Sequence, residues 1–273
     1  MNDRKRDHAS STYLRGIFIG ACVLTLYIHS SFARFMFATK VRIHRKEVES
    51  EPTILLFLTT QASDSHVAFL HTRWPDLLNH SQLLRKADVM VFSTGDPDLN
   101  SALTATFSLN PSCTVINFPN PGYQAGANVA MSWAANSSAF EGYNWVIRLN
   151  PDVLILNDTW IYETMRNKNV DAIFVDCREK CSISNCTSPR ILIHTDFFAI
   201  RPQVLRKGSF NSTTFNRIKN AEMVATFEFQ DILTSGRHRW LPGVGPMKGQ
   251  CRVRGDHSPV IHSHQLLREG KRP

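Results

Sequence analysis

Asn150 and Asp152 stand two apart in the segment YNWVIRLNPDVLILN (Tyr143 to Asn157), where an apolar run meets a polar Asn-Pro-Asp step and then turns apolar again. In an extended chain alternate residues point to the same side. The two oxygen-bearing side chains would therefore project together, while Pro151 withdraws one N–H from the ladder. Hard divalent cations such as Mg²⁺ and Mn²⁺ prefer carboxylate, carbonyl and phosphate oxygens, and open α/β sheets gather ligands beyond the carboxyl ends of their strands. A cation holding a diphosphate fits this step. Asn-Pro-Asp is equally ordinary turn chemistry that needs no ligand, so the surrounding elements must decide between the two.

Those elements alternate between two kinds. Apolar, β-rich runs cover Ile54 to Thr59, Val89 to Phe92, Thr114 to Phe118, Trp145 to Leu149, Ala172 to Val175 and Ile191 to Ile200, and they read as sheet strands. Between the first two, His66 to Ala87 carries spaced apolar residues broken at Trp74-Pro75, which predicts a kinked helix or a helix pair. Ala125 to Ala135 predicts a helix between the third and fourth runs. Such alternation is what a βαβ sheet with right-handed crossovers produces. The loops after successive strands are then where a nucleotide should lie: Thr59, Thr60 and Gln61, then Ser93 to Asp98, then PNPGYQAGAN (Pro119 to Asn128). Gly122 and Gly126 permit close backbone approach, and a helix starting near Gln124 would aim free N–H groups at a phosphate. The nucleotide-binding candidates are Thr59, Thr60, Asp96, Gly126 and Asn128, with Arg148 of the fourth strand.

With its strand order and the Asn150-Pro151-Asp152 step, the segment from about residue 53 to 264 resembles GT-A-type glycosyltransferases, Asn150 standing where the first aspartate of their D-x-D metal motif usually stands. The resemblance implies that the first two loops hold the base and ribose and that Asp152, with Asn150, anchors the ion. A histidine near the carboxyl terminus completes the metal's coordination in several such families, and His262-Ser263-His264 lies where that ligand is expected. Imidazole suits Mn²⁺ and is poor for Mg²⁺, so a histidine ligand points to manganese. ILIHTDFFAIRP (Ile191 to Pro202) reads as strand, polar interruption, strand, and resembles the acceptor side of related transferases. An inverting transfer needs a carboxylate to take a proton from the acceptor hydroxyl. The candidates are Asp196 and, on a predicted helix Ala221 to Leu233, Glu222, Glu228 and Asp231.

Length and address frame the chemistry. At 273 residues and 42% apolar content the chain can bury one good-sized α/β core. Gly16 to Ala33 is almost free of polar groups and follows Arg4, Lys5, Arg6 and Arg15, which marks a membrane-targeting segment. Phe35, Met36 and Phe37 extend it toward an uncleaved signal anchor over residues 16–37, while Ser31-Phe32-Ala33 could instead serve as a cleavage site. A tail (1–15) precedes it, and a basic stem (38–52) leads to the globular part, 53–273. Five sequons, at Asn79, Asn136, Asn157, Asn185 and Asn211, all follow the apolar segment. Chance would supply about two or three, so the bulk of the chain is expected to be lumenal. Cys113, Cys177, Cys181, Cys186 and Cys251 allow up to two disulfides in an oxidising compartment; a zinc site from the cluster with His194 is the alternative, though the spacing matches no standard zinc module. The formal charge of +8 is spread without a basic-aromatic register, so nucleic acid is not the expected partner.

These readings converge on an α/β, GT-A-like (Rossmann-like) mixed, mainly parallel sheet flanked by helices, behind an N-terminal transmembrane anchor. The expected activity is transfer of a sugar from a nucleotide diphosphate sugar, with Mn²⁺, to a glycan or glycoprotein acceptor at the Golgi or endoplasmic-reticulum membrane. A lumenal binding protein that kept the fold without catalysis is the alternative from another class. A nucleotidyltransferase is disfavoured because TTQASDSH after the first strand lacks a glycine-rich, basic phosphate loop.

Overall fold

β1 (Ile54–Thr59) is buried along its whole length, as a strand covered on both faces must be. In this computed structural model Ile54, Leu56 and Leu58 belong to one core and Leu55 and Phe57 to another, because alternate side chains feed opposite layers. The structure describes residues 51–61, 63–119, 121–176, 191–242 and 258–262, all within the second of two compact units, 51–273. The proposed anchor, residues 38–50 of the proposed stem, four of the five cysteines that follow the anchor, Asn185 and His264 lie outside the described residues. Among those described, no helix is long and apolar enough to cross a membrane.

The other strands are β2 (Asp88–Ser93), β3 (Cys113–Asn117), β4 (Trp145–Leu149), β5 (Val153–Ile155), β6 (Ala172–Asp176), β7 (Ile193–Ile200), β8 (His238–Trp240) and β9 (Val260–His262). Seven of them form one sheet in the order β3-β2-β1-β4-β7-β6-β8, and β5 pairs with β9 in a second. In the large sheet only the pairings of β7 with β4 and β6 are antiparallel; the remaining ones are parallel. The sheet is thus mixed and mainly parallel. All six strands expected from apolar runs are present, with ends shifted by at most two residues. β7 corrects one expectation: it runs unbroken through His194, Thr195 and Asp196, and all three are buried.

The helices are α1 (Asp64–Thr72), α2 (Trp74–His80), α3 (Gln82–Lys86), α4 (Pro97–Thr106), α5 (Tyr123–Asn136), α6 (Asp158–Arg166), α7 (Ser212–Ile218), α8 (Ala221–Glu228) and α9 (Gln230–Ser235). The break expected at Trp74-Pro75 is real, since Pro75 sits in the first turn of α2, where its missing N–H costs nothing. A second break follows at Ser81, whose hydroxyl accepts the Leu84 N–H at 3.0 Å and caps α3. The helix expected over Ala221 to Leu233 is instead α8 and α9, divided at Phe229 (φ −98°, ψ 13°). Its ring is buried against Phe174, Phe198 and Phe210, 5.2 to 5.7 Å away.

One face of the sheet packs Leu70, Trp74, Leu84, Leu99 and Ile161 from α1, α2, α3, α4 and α6. The other face packs Ala130, Met131 and Ala134 of α5 with Val224 and Ala225 of α8. Each large side chain so buried contributes about 1.5–3 kcal/mol. This second face, where small residues let α5 lie close, carries the site.

Candidate functional site

Strand register assembles the first row of the site. Leu58 pairs with Leu149 and Leu149 with Phe197, so one residue further Thr59, Asn150 and Asp196 lie side by side at the sheet's rim. The Asn150 N–H donates to the Asp196 carbonyl at 3.1 Å. Alternation turns Arg148 and Asn150 to the side of Val146, and His194 and Asp196 to that of Phe198, both of the α5 layer. Thr59 Oγ1 donates to Asn150 Oδ1 at 3.0 Å, Arg148 donates to the same Oδ1 at 2.9 Å, and Asn150 Nδ2 donates to Asp196 Oδ1 at 2.8 Å. Arg148 is only 1% exposed. A guanidinium that deep requires a charge partner, and Asp196 Oδ1 lies 3.7 Å from its Nη1.

Beyond Asn150 the chain departs from the extended course on which a shared face for positions 150 and 152 rests. It turns, and the Val153 N–H returns to the Asn150 carbonyl at 3.0 Å. Turn chemistry and a polar site therefore coexist. Asn150 points its amide oxygen at Thr59 and Arg148, while Asp152 is wholly buried and faces a different set. Trp74 Nε1 holds the turn by donating to the Pro151 carbonyl at 2.7 Å. β5 then pairs with β9, Val153 opposite His262, which brings His262 beside Asp152.

The result is a buried cluster of imidazoles and carboxylates. His262 Nε2 lies 3.5 Å from Asp152 Oδ2 and 3.5 Å from Asp196 Oδ2. His194 Nδ1 accepts the Asp196 N–H at 3.0 Å and lies 3.7 Å from Asp196 Oδ2. The rings of His194 and His262 meet edge to face at 5.3 Å. On the other side of Asp152, His66 Nε2 is 3.6 Å from Oδ1, and its Nδ1 is 2.8 Å from Thr60 Oγ1. Burial by itself would raise the Asp196 carboxyl, but the facing His194, His262 and Arg148 hold it below the ordinary carboxylate range.

This cluster carries donor types that a divalent cation takes. His194, Asp196 and His262 each offer one donor atom within 4.8 Å of the others. Ligand atoms bound to one ion at about 2.1 Å sit about 3 to 4.2 Å apart. A mixed imidazole and carboxylate set suits Mn²⁺ better than Mg²⁺.

Next to the cluster is an open cleft lined by Thr59, Thr60, Gln61, His66, Phe118, Gln124, Gly126, Ala127, Arg148, Asn150, Thr195, Asp196 and Ala221. The start of α5 forms one wall. Its cap is Gly122 at φ +115°, a conformation that needs glycine, and no side chain caps it. Gln124 Oε1 accepts the Ala221 N–H at 2.6 Å and ties this wall to α8.

Of the residues singled out from sequence, Thr59, Thr60, Gly126, Arg148, Asn150 and Asp196 line this cleft, and Asp152 and His262 lie in the adjoining cluster. Asn128 is buried one step behind, its amide donating to the Phe210 carbonyl at 2.9 Å. Asp96 is not among the lining residues; it caps α4 by accepting the Leu99 N–H at 2.9 Å. Glu222 and Glu228 are half-buried on α8 outside the cleft lining, and the exposed Asp231 pairs with Arg206. Sequence reasoning missed His66, His194 and Trp74 as parts of the site. His194 had a signal, since it stands two residues before Asp196 on one strand; His66 and Trp74 had none.

No family model matches the sequence, and no curated protein matches it. Among solved structures, core-mannan synthase A from Aspergillus fumigatus in its Mn/GDP form superposes with a TM-score of 0.52 at 9% identity, over 80% of this chain and 82% of that one. The chain has a GT-A-type fold. More distant likenesses are a mannosyltransferase from Pyrobaculum calidifontis in complex with GDP-Man and Mn²⁺ (TM-score 0.42, 12% identity) and the galactosyltransferase LgtC in complex with donor and acceptor sugar analogs (0.45, 9%). The match covers 70% of this chain and 55% of the Pyrobaculum mannosyltransferase, and 68% and 73% for LgtC.

Proposed function

We propose that this chain is a Mn²⁺-dependent glycosyltransferase that takes a sugar from a nucleotide diphosphate sugar and passes it to a glycan or glycoprotein acceptor. The observation that carries this reading is the buried cluster of Asp152, His262, Asp196 and His194 opening on a cleft at the carboxyl ends of β1 and β4. Core-mannan synthase A, whose fold the chain shares, was solved in a Mn/GDP form. Asp152 and His262 would hold the ion, which neutralises negative charge on a departing diphosphate when bound. The chain's own residues supply the remainder. Free N–H groups at the start of α5 bind phosphate oxygens, Thr59, Thr60 and Gln61 border the base and ribose, and Thr195 with Ala221 borders the acceptor end.

The same reading places the catalytic unit in the secretory pathway, tethered as a single-pass type II protein by residues 16–37. The four described sequon asparagines, Asn79, Asn136, Asn157 and Asn211, are all exposed, which supports that address. The test of activity is to incubate the purified full chain with a panel of nucleotide sugars and Mn²⁺ and follow donor hydrolysis and transfer. Turnover with at least one donor, lost in Asp152→Ala, is expected. No turnover with any donor would leave a binding protein on the same fold.

A further inference from the structure

The geometry points to a relocated carboxylate: Asp196 of β7, with His194 beside it, supplies the metal ligand that position 150 lacks. The inference rests on the cation-binding half of the reading above and not on sugar transfer. Two observations carry it. First, the Asn150 amide is oriented away from the cluster, with its oxygen taken by Thr59 and Arg148 and its nitrogen donating to Asp196 Oδ1 at 2.8 Å. Second, the other carboxylate oxygen, Asp196 Oδ2, is the one that faces His262 Nε2 at 3.5 Å and His194 Nδ1 at 3.7 Å. One Asp196 oxygen thus serves the Asn150–Arg148 network and the other the cluster.

Adjacent strands in this register place side chains 150 and 196 on one face, and only one of the two is a carboxylate. Here it sits on β7, where it reaches His262 of β9 and Asp152 of the turn together. Asp196 then acts as a ligand to the ion and not as the base that takes the acceptor's proton. His194 is a positioning residue: its Nδ1 accepts the Asp196 N–H at 3.0 Å and fixes the backbone that presents the carboxylate.

A binding experiment separates this role from a structural one. Mn²⁺ is titrated into the full 273-residue chain and free ion is followed by electron paramagnetic resonance, with a thermal melt of each metal-free variant. Asp196→Asn should weaken Mn²⁺ binding at least tenfold. The swap variant Asn150→Asp with Asp196→Asn rebuilds the same hydrogen bond in reverse, so it should melt close to wild type and still bind Mn²⁺ at least tenfold more weakly. If the single variant does not fold, the swap alone gives the result. His194→Gln, with both carboxylates in place, should lose at least fivefold. Wild-type affinity in the swap, less than a twofold change in Asp196→Asn or His194→Gln, or no Mn²⁺ binding by the wild type would each overturn the inference. A chain that binds Mn²⁺ as described but turns over no donor leaves it standing and removes the transferase reading instead.

Discussion

Trp74→Phe should loosen the cation site through a single hydrogen bond. Trp74 is fully buried, and its indole N–H donates to the Pro151 carbonyl at 2.7 Å, in the middle of the turn that presents Asp152. Phenylalanine keeps an aromatic ring against Phe107, now 5.1 Å away, but leaves the carbonyl buried without that donor, at a cost of about 1–3 kcal/mol. The smaller ring also forgoes roughly 1 kcal/mol of buried carbon, for a total of about 2–4 kcal/mol. Trp145→Phe is the matched control. Trp145 is equally buried, its N–H donates to the Met165 carbonyl at 3.0 Å, and Arg201 lies 4.8 Å over its ring. Urea unfolding should show comparable losses for the two variants. Mn²⁺ titration of the folded proteins should show affinity reduced several-fold for Trp74→Phe and unchanged for Trp145→Phe, because only the first bond reaches the turn. Unchanged Mn²⁺ affinity in Trp74→Phe, or a stability loss under about 1 kcal/mol, would refute the reasoning.

Mn²⁺ at about a hundred times its dissociation constant should stabilise the folded chain by about 2.7 kcal/mol. For a unit of this size that is a rise of about 5–11 °C in melting temperature. Chelator should reverse it, and Asp152→Ala should not show it. Gly122→Ala meets no neighbouring atom within 4 Å, yet φ is +115° there; the expected loss of about 1–3 kcal/mol is conformational, and nucleotide binding, read by calorimetry, should weaken because Gly122 is the cap from which α5 starts. Burial and the hydrogen bond to Asp88 push the Tyr143 phenol up to about 12. A raised value favours the neutral phenol in the folded state, so its contribution is complete below about pH 10 and fades as pH climbs toward 12. Phenolate absorbance in an alkaline titration should show one tyrosine ionising last, and Tyr143→Phe should remove that step.

Local chemistry made much of this protein readable from its residues alone. Ile54 to Thr59 is a strand because an apolar run of that length must be covered on both faces, Trp145 to Leu149 reads the same way apart from Arg148, and their ends coincide with β1 and β4. Asn150, Asp152 and the polar loop after β1 were legible as a site because charged and amide groups at the end of such a run need a partner. The three-residue strands β5, β8 and β9 carry too few side chains to show a period. Which groups meet was a tertiary decision: the β4–β7 register set Asp196 against Asn150, and the β5–β9 pairing laid His262 beside Asp152. Trp74 and His66 entered from α2 and α1, far along the chain. Periodicity reports what one segment buries, but register and turn partners arise from pairing between segments distant in sequence. The composition of the site was therefore written locally, and its division of labour between Asn150 and Asp196 was settled only when the strands came together.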